Sequence, residues 1–226
     1  MIRAVLFDLD DTLYDLRAHW RWCLETALAD VLAQQSQIDA AELIERALAG
    51  HVYIRQLSEF LRAEGIGTTA QITAAQRTYE SIWFERMALP SDAAMLLTQL
   101  QPSYRLGLVT NGPIWTQREK IERFALGRWM EALVISEEVG VAKPDPAIFA
   151  IALQQLGIPA ANALYVGDSP EFDLIGAERA GMRSIWMNRH RRVPSRRAPT
   201  PTATIRSLAE LPGVLELIDQ QPGDSL

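Results

Sequence analysis

Asp8, Asp10 and Asp11 put three carboxylates within four positions, directly after the apolar run Ala4, Val5, Leu6 and Phe7. A run this short, branched and apolar predicts a strand buried on both faces. The acidic cluster then sits at the strand's C-terminal mouth, where open α/β sheets place their ligands. Like charges so close repel one another, and they are tolerated when a cation sits among them or when one carboxyl keeps its proton as an acid. Later segments add matching groups, each behind its own strand-like run. Thr110, Asn111 and Gly112 follow 106–109; Lys143, Pro144, Asp145 and Pro146 come after 132–135; Gly167, Asp168, Ser169 and Asp173 follow 164–166. Four strand ends thus bring carboxylates, a hydroxyl and a lysine to one mouth. Hydroxyl, ammonium and backbone N–H donors suit an anionic oxygen, and clustered aspartates suit Mg²⁺, so the ligand that matches this set is a phosphoryl group.

The elements that must position these residues follow from periodicity. Strand-like runs at 4–7, 106–109, 132–135, 164–166 and 184–187 alternate with helical segments. Three of those helices open at Pro113, Pro146 and Pro170, where a missing N–H costs nothing, and Gly157 and Gly181 stand at expected C-terminal caps. Alternation of this kind implies parallel βαβ units and a doubly wound parallel sheet. From 14 to 87 the pattern is helical instead: Trp20, Leu24, Leu28 and Leu32 recur every four residues, Asp15 is placed to cap the first helix, and Asp39 with Glu42 forms a capping-box pattern. The next helix is expected over about 70–87. Because the first strand pairs with those of the second half, 14–89 is expected as a helical bundle inserted into a core made of 1–13 and 90–226.

Composition narrows the function classes. A formal charge of −6 over 226 residues argues against a nucleic-acid partner. The single cysteine, Cys23, excludes an internal disulfide, and with no apolar stretch near the roughly twenty residues of a membrane span, no membrane partner and a cytoplasmic location are expected. His19 and His51 share no metal-ligand spacing and read as ordinary helix residues. Tyr14, Trp20 and Trp22 read either as core aromatics or as a surface on which a planar leaving group stacks. The stretch 189–197, with five arginines and His190, reads as a solvated loop.

Taken together, Asp8-x-Asp10-x-Thr12, Thr110-Asn111-Gly112, Lys143-Pro144 and Gly167-Asp168-Ser169 with Asp173 resemble the haloacid dehalogenase superfamily. The run Gly176, Ala177, Ala180, Gly181 and Met182 is similar to the family's usual continuation. The resemblance implies a Rossmann-like α/β core with a C1-type helical cap. It also implies a nucleophilic Asp8 that forms an aspartyl-phosphate, with Asp10 as general acid and then general base. Thr110 and Lys143 would hold the phosphoryl oxygens together with Leu9 and Asn111. Mg²⁺ would be bound by Asp8, the Asp10 backbone carbonyl and Asp168, with Asp173 and Ser169 supporting that ring of ligands. Asp10 separates two chemistries within the family: a halide leaves without a proton, whereas an alkoxide needs an acid. The expectation is therefore a phosphatase acting on a small phosphorylated metabolite, a mononucleotide or flavin mononucleotide ahead of a sugar phosphate. The alternatives are a phosphotransferase or phosphomutase, a 2-haloacid dehalogenase, and a non-catalytic binding protein on the same scaffold.

Overall fold

The computed structural model describes residues 1–35, 37–193 and 198–220. In chain order, β1 (Ala4–Phe7) is followed by α1 (Leu16–Leu32), α2 (Ala40–Ala49), α3 (Leu57–Ala63) and α4 (Thr69–Ile82). Then come α5 (Ser91–Leu100), β2 (Arg105–Thr110), α6 (Ile114–Arg123), β3 (Ala132–Ile135), the one-turn α7 (Ser136–Val139) and α8 (Pro146–Leu156). The chain closes with β4 (Ala163–Gly167), α9 (Ile175–Arg179), β5 (Arg183–Met187), β6 (Ala203–Ile205) and α10 (Leu211–Gln220). It divides into two compact units, one of Met1–Tyr14 with Ala88–Leu226 and one of Asp15–Met87. Among the described residues no helix is long and apolar enough to cross a membrane.

The first unit is built on a six-stranded parallel sheet in the order β3-β2-β1-β4-β5-β6. All four residues of β1 are buried, as a strand covered on both faces requires. The chain steps away from β1 through β2 and β3, then returns to β1's other edge with β4. The strand order therefore reverses between β1 and β4, and the crevice at such a reversal is where doubly wound sheets bind ligands. Phe7 is level with Leu108 of β2 and Val166 of β4, so the residues after these three strands share one rim. The Asp8 N–H donates to the Val166 carbonyl at 2.9 Å and carries the ladder one residue further. Beneath the rim, Ile148, Phe149, Ala152 and Leu156 of α8 pack against Leu6, Val109, Val134 and Tyr165. The Phe149 ring meets Tyr165 edge-on, with centroids 4.9 Å apart. A Cβ at Gly176 would stand 2.4 Å from that Phe149 ring, so only glycine lets α9 lie so close to α8.

The strands read from the sequence are all present, each extended by at most one residue at either end. β6 was not expected: three residues at the sheet's edge, just past Pro201, carry too little apolar pattern to register. In the second unit α1 buries Trp20, Leu24 and Leu28, then drifts so that Val31 is buried and Leu32 only half so. Asp15 caps α1 through the Ala18 N–H, Asp39 caps α2, and Thr68 with Gln71 forms a capping box on α4. The helix expected to run to Met87 stops at Ile82. The Trp83 carbonyl, which would have taken the Met87 N–H, instead accepts from His19 Nε2 at 2.7 Å. Cys23 is buried, and burial pushes its thiol up to about 12.

Candidate active site

At the end of β1 the Asp8 carboxylate is buried and accepts from Lys143 Nζ at 2.6 Å. The same ammonium reaches Asp173 Oδ1 at 2.7 Å and the Tyr165 hydroxyl at 3.1 Å. Burial pushes the Asp8 carboxyl up to about 7; Lys143 opposes this, while Asp173 and Asp10 add to it. Burial alone would lower Lys143, yet the charges of Asp173 and Asp8 outweigh it and hold the ammonium above its ordinary range. Tyr165, raised by burial and by the same two carboxylates, stays neutral and donates to the Val109 carbonyl at 2.8 Å.

Asp173 spends its second oxygen on the Ser169 N–H at 2.8 Å, while the Ser169 hydroxyl accepts from the Phe172 N–H at 3.3 Å. The fit behind Asp173 is tight, since a Cβ at Gly167 would lie 2.4 Å from its carboxyl carbon. Gly167→Ala is therefore expected to cost about 1–3 kcal/mol in urea denaturation, because the carboxylate is rigidly tethered and must shift. An unchanged denaturation midpoint would contradict that rigidity.

Asp168, half-buried after β4, is pushed up to about 8 by burial and by the charges of Asp173 and Asp8, against the pull of Arg192. The Arg192 guanidinium pairs with the Asp168 carboxylate and donates to its carbonyl at 2.8 Å. Asn188 aims this arginine: its side chain accepts from the Arg192 N–H at 2.7 Å and donates to the Arg192 carbonyl at 2.9 Å. Arg189 donates to the Thr12 carbonyl at 3.2 Å. The arginine-rich stretch, expected as a solvated loop, is thus tied to the site by Arg189 and Arg192, because guanidinium forks satisfy carbonyl and carboxylate oxygens there. Its residues 194–197, Arg196 and Arg197 included, lie outside the described residues.

Carboxylate oxygens of Asp8, Asp168 and Asp173 lie within 4.8 Å of one another. Hard oxygens gathered where burial and mutual repulsion already disfavour their charge fit a small divalent cation such as Mg²⁺. Both Asp173 oxygens are engaged, so Asp8 and Asp168 are the carboxylates suited to hold it.

The other half of the rim centres on Asp10. Its carboxylate accepts from Lys120 Nζ at 2.7 and 2.8 Å and from Gln117 Nε2 at 3.1 Å. Gln117 Nε2 also donates to the buried Thr110 Oγ1 at 2.6 Å. Asn111 clamps the Lys143 backbone, accepting from its N–H at 2.9 Å and donating to its carbonyl at 3.1 Å. The Leu9 side chain is core, which leaves only main-chain groups of Leu9 to meet a ligand.

Four contributors escaped the sequence reading: Gln117, Lys120, Tyr165 and Arg192. A signal for two of them existed. Gln117 and Lys120 share the face of α6 that buries Ile121 and Phe124, and polar residues on a buried face announce a polar partner. Tyr165, inside an apolar strand, reads only as core.

The model of the haloacid dehalogenase-like hydrolase family matches residues 5–187. Human N-acylneuraminate-9-phosphatase is 31% identical over 236 residues, covering 96% of this chain and 95% of that protein. Pyrimidine 5′-nucleotidase YjjG of Escherichia coli is 41% identical over 124 residues, 54% of this chain and 55% of that protein. Among solved structures, the HAD-hydrolase YfnB of Bacillus subtilis, bound to magnesium, is 28% identical with a TM-score of 0.71, covering 95% of this chain and 98% of that one. A family match that runs from β1 to the end of β5 takes in every strand end that carries the carboxylates, the threonine and the lysine, so this chain belongs to the haloacid dehalogenase-like hydrolases.

Proposed function

We propose that the chain is a Mg²⁺-dependent phosphomonoesterase working through a phosphorylated Asp8. The observation that carries this reading is the placement of two differently held carboxylates on one rim: Asp8, buried against Lys143, and Asp10, half-exposed and held from α6. The Asp8 carboxylate, held by Lys143 at Oδ1, is the group assigned to attack phosphorus. As the phosphorus–oxygen bond to the leaving group breaks, Asp10 gives its proton to the departing alkoxide. A water then attacks the aspartyl-phosphate, Asp10 takes the water's proton, and inorganic phosphate leaves with the Asp8 carboxylate restored. Thr110 and Lys143 hold the phosphoryl oxygens and offset the charge spread over them. Asp8 and Asp168, with the Asp10 backbone carbonyl, are the groups assigned to Mg²⁺, which when bound supplies positive charge to the phosphoryl oxygens. A halide would need no proton, so Asp10 favours this reading over dehalogenation.

The metal assignment has a readout independent of turnover. Mg²⁺ at about 100 times its Kd is expected to raise the Tm of the wild type by roughly 5–10 °C, and Asp168→Ala to lose most of that shift. An equal shift in Asp168→Ala, or full activity after exhaustive chelation, would overturn it.

Substrate choice falls to the inserted unit Asp15–Met87 on this reading, as a substrate-selecting cap. Its aromatic rings are engaged internally: Trp20 stacks on Tyr53 at 4.4 Å and donates to the Val52 carbonyl at 3.1 Å, and Arg86 covers Trp22 at 4.2 Å. In the other unit, Tyr14 packs on Phe124 at 4.9 Å. A planar leaving group thereby loses the stacking surface expected for it. N-acylneuraminate-9-phosphatase, which matches over 96% of this chain, acts by its name on an N-acylneuraminate 9-phosphate, whereas the nucleotidase matches over 54%. A polyhydroxylated alkyl phosphate is therefore placed ahead of mononucleotides and flavin mononucleotide. Phosphate release with Mg²⁺ from a panel of both classes tests this; a higher kcat/KM for the planar class would reverse the order.

A further inference from the structure

Lys120 is 3% exposed and Gln117 1%, on the same face of α6. A buried ion pair is weak support for stability, because apolar residues of similar volume often do as well. Their contacts point elsewhere. Lys120 Nζ straddles both oxygens of Asp10, at 2.7 and 2.8 Å. Gln117 Nε2 touches Asp10 Oδ2 at 3.1 Å, Thr110 Oγ1 at 2.6 Å and the Asn111 carbonyl at 3.2 Å. A threonine hydroxyl that accepts from Gln117 keeps its own hydrogen to donate, and the acceptor it meets here, the Asn111 carbonyl, is at the long limit of 3.5 Å, a contact that a phosphoryl oxygen can replace. The Asp10 side chain itself is 22% exposed, so without these donors little would fix its rotamer.

We propose that Lys120 and Gln117 are positioning residues, which hold the Asp10 carboxyl where it serves both proton transfers and turn the Thr110 hydroxyl proton toward the phosphoryl group. This rests on the phosphatase reading above. In the first displacement the Asp10 O–H must face the leaving oxygen, and in the second an Asp10 oxygen must face water. With Lys120 across both oxygens and Gln117 on one, the plane of the carboxyl is set for both. Ile121 and Phe124, buried on the same face, anchor the helix that carries the pair.

The test compares leaving groups in the full chain with Mg²⁺. Lys120→Met is expected to lower kcat for an alkyl phosphate such as glycerol phosphate about 100-fold, with KM changed less than about 3-fold. For p-nitrophenyl phosphate, whose leaving group needs little protonation, the loss is expected to stay under about 10-fold. Lys120→Arg should recover part of the alkyl phosphate activity. In an Asp10→Asn background, Lys120→Met should cost nothing further on p-nitrophenyl phosphate, since residues acting through one another are not additive. Should Lys120→Met fail to fold by circular dichroism, Lys120→Gln carries the same comparison. Equal losses on both substrates, or a full additional loss on top of Asp10→Asn, would overturn the positioning role. Wild-type enzyme that releases no phosphate from either substrate would instead sink the phosphatase reading, and the proposal with it.

Discussion

Asp8→Asn is expected to lower kcat by about 10⁴-fold or more while leaving the fold intact, because it removes the nucleophile, and with it one charged group assigned to Mg²⁺, without changing the shape of the side chain. The substitution is isosteric, and the amide oxygen can still accept from Lys143. Nor is that ammonium orphaned, since Asp173 remains its partner at 2.7 Å. Burial already presses Asp8 toward its neutral form, with its carboxyl pushed up to about 7, so a neutral residue suits the site. Stability in urea should therefore stay within about 1 kcal/mol of wild type, inside the ordinary range for a mild substitution. Substantial turnover by Asp8→Asn would remove the nucleophile assignment.

Lys143→Met is expected to damage both activity and stability. Removing the ammonium leaves Asp8 and Asp173 facing one another in a buried site, and breaking a buried pair from one side costs about 3–5 kcal/mol. Turnover should fall about 10³-fold, comparable to loss of an oxyanion-stabilising donor. The pH dependence has a definite sign. In wild type the Lys143 ammonium is held above its ordinary range, so its contribution is fully present below the unfolded value of 10.5 and constant across neutral pH. In the variant the carboxylates lose that counter-charge, so the folded state holds their protons to higher pH than the unfolded chain does. Stability then falls as pH rises. The Tm deficit of Lys143→Met in chelator should be larger at about pH 8 than at about pH 5. An equal deficit at both would mean that the charge is not what the lysine contributes.

Asp8, Thr110 and Asp168 were legible because each stands at or just beyond a strand's end, and buried parallel strands announce themselves as short apolar runs. Thr110, Asp168 and Lys143 needed only their place in the chain. What the sequence did not disclose depends on side chains reaching across elements. Lys120 and Gln117 share a face with Ile121 and Phe124, which calls for a polar partner, but only the docked α6 identifies that partner as Asp10 and Thr110. Arg192 looks like part of a solvated charge run until Asn188 folds the loop onto Asp168. Trp20 was ambiguous for the opposite reason: helical spacing is the same for a core ring and a stacking surface, and the Tyr53 ring against it decides for the core.

Covalent capture tests the central claim most directly. Wild-type enzyme mixed with an alkyl phosphate and Mg²⁺, quenched in acid within the first turnover and mapped by peptide mass spectrometry, is expected to carry one phosphoryl group on the peptide containing Asp8. The same peptide from Asp8→Asn is expected to carry none. An unmodified Asp8 peptide from enzyme that is releasing phosphate, or a phosphoryl group on any other residue, would contradict the mechanism.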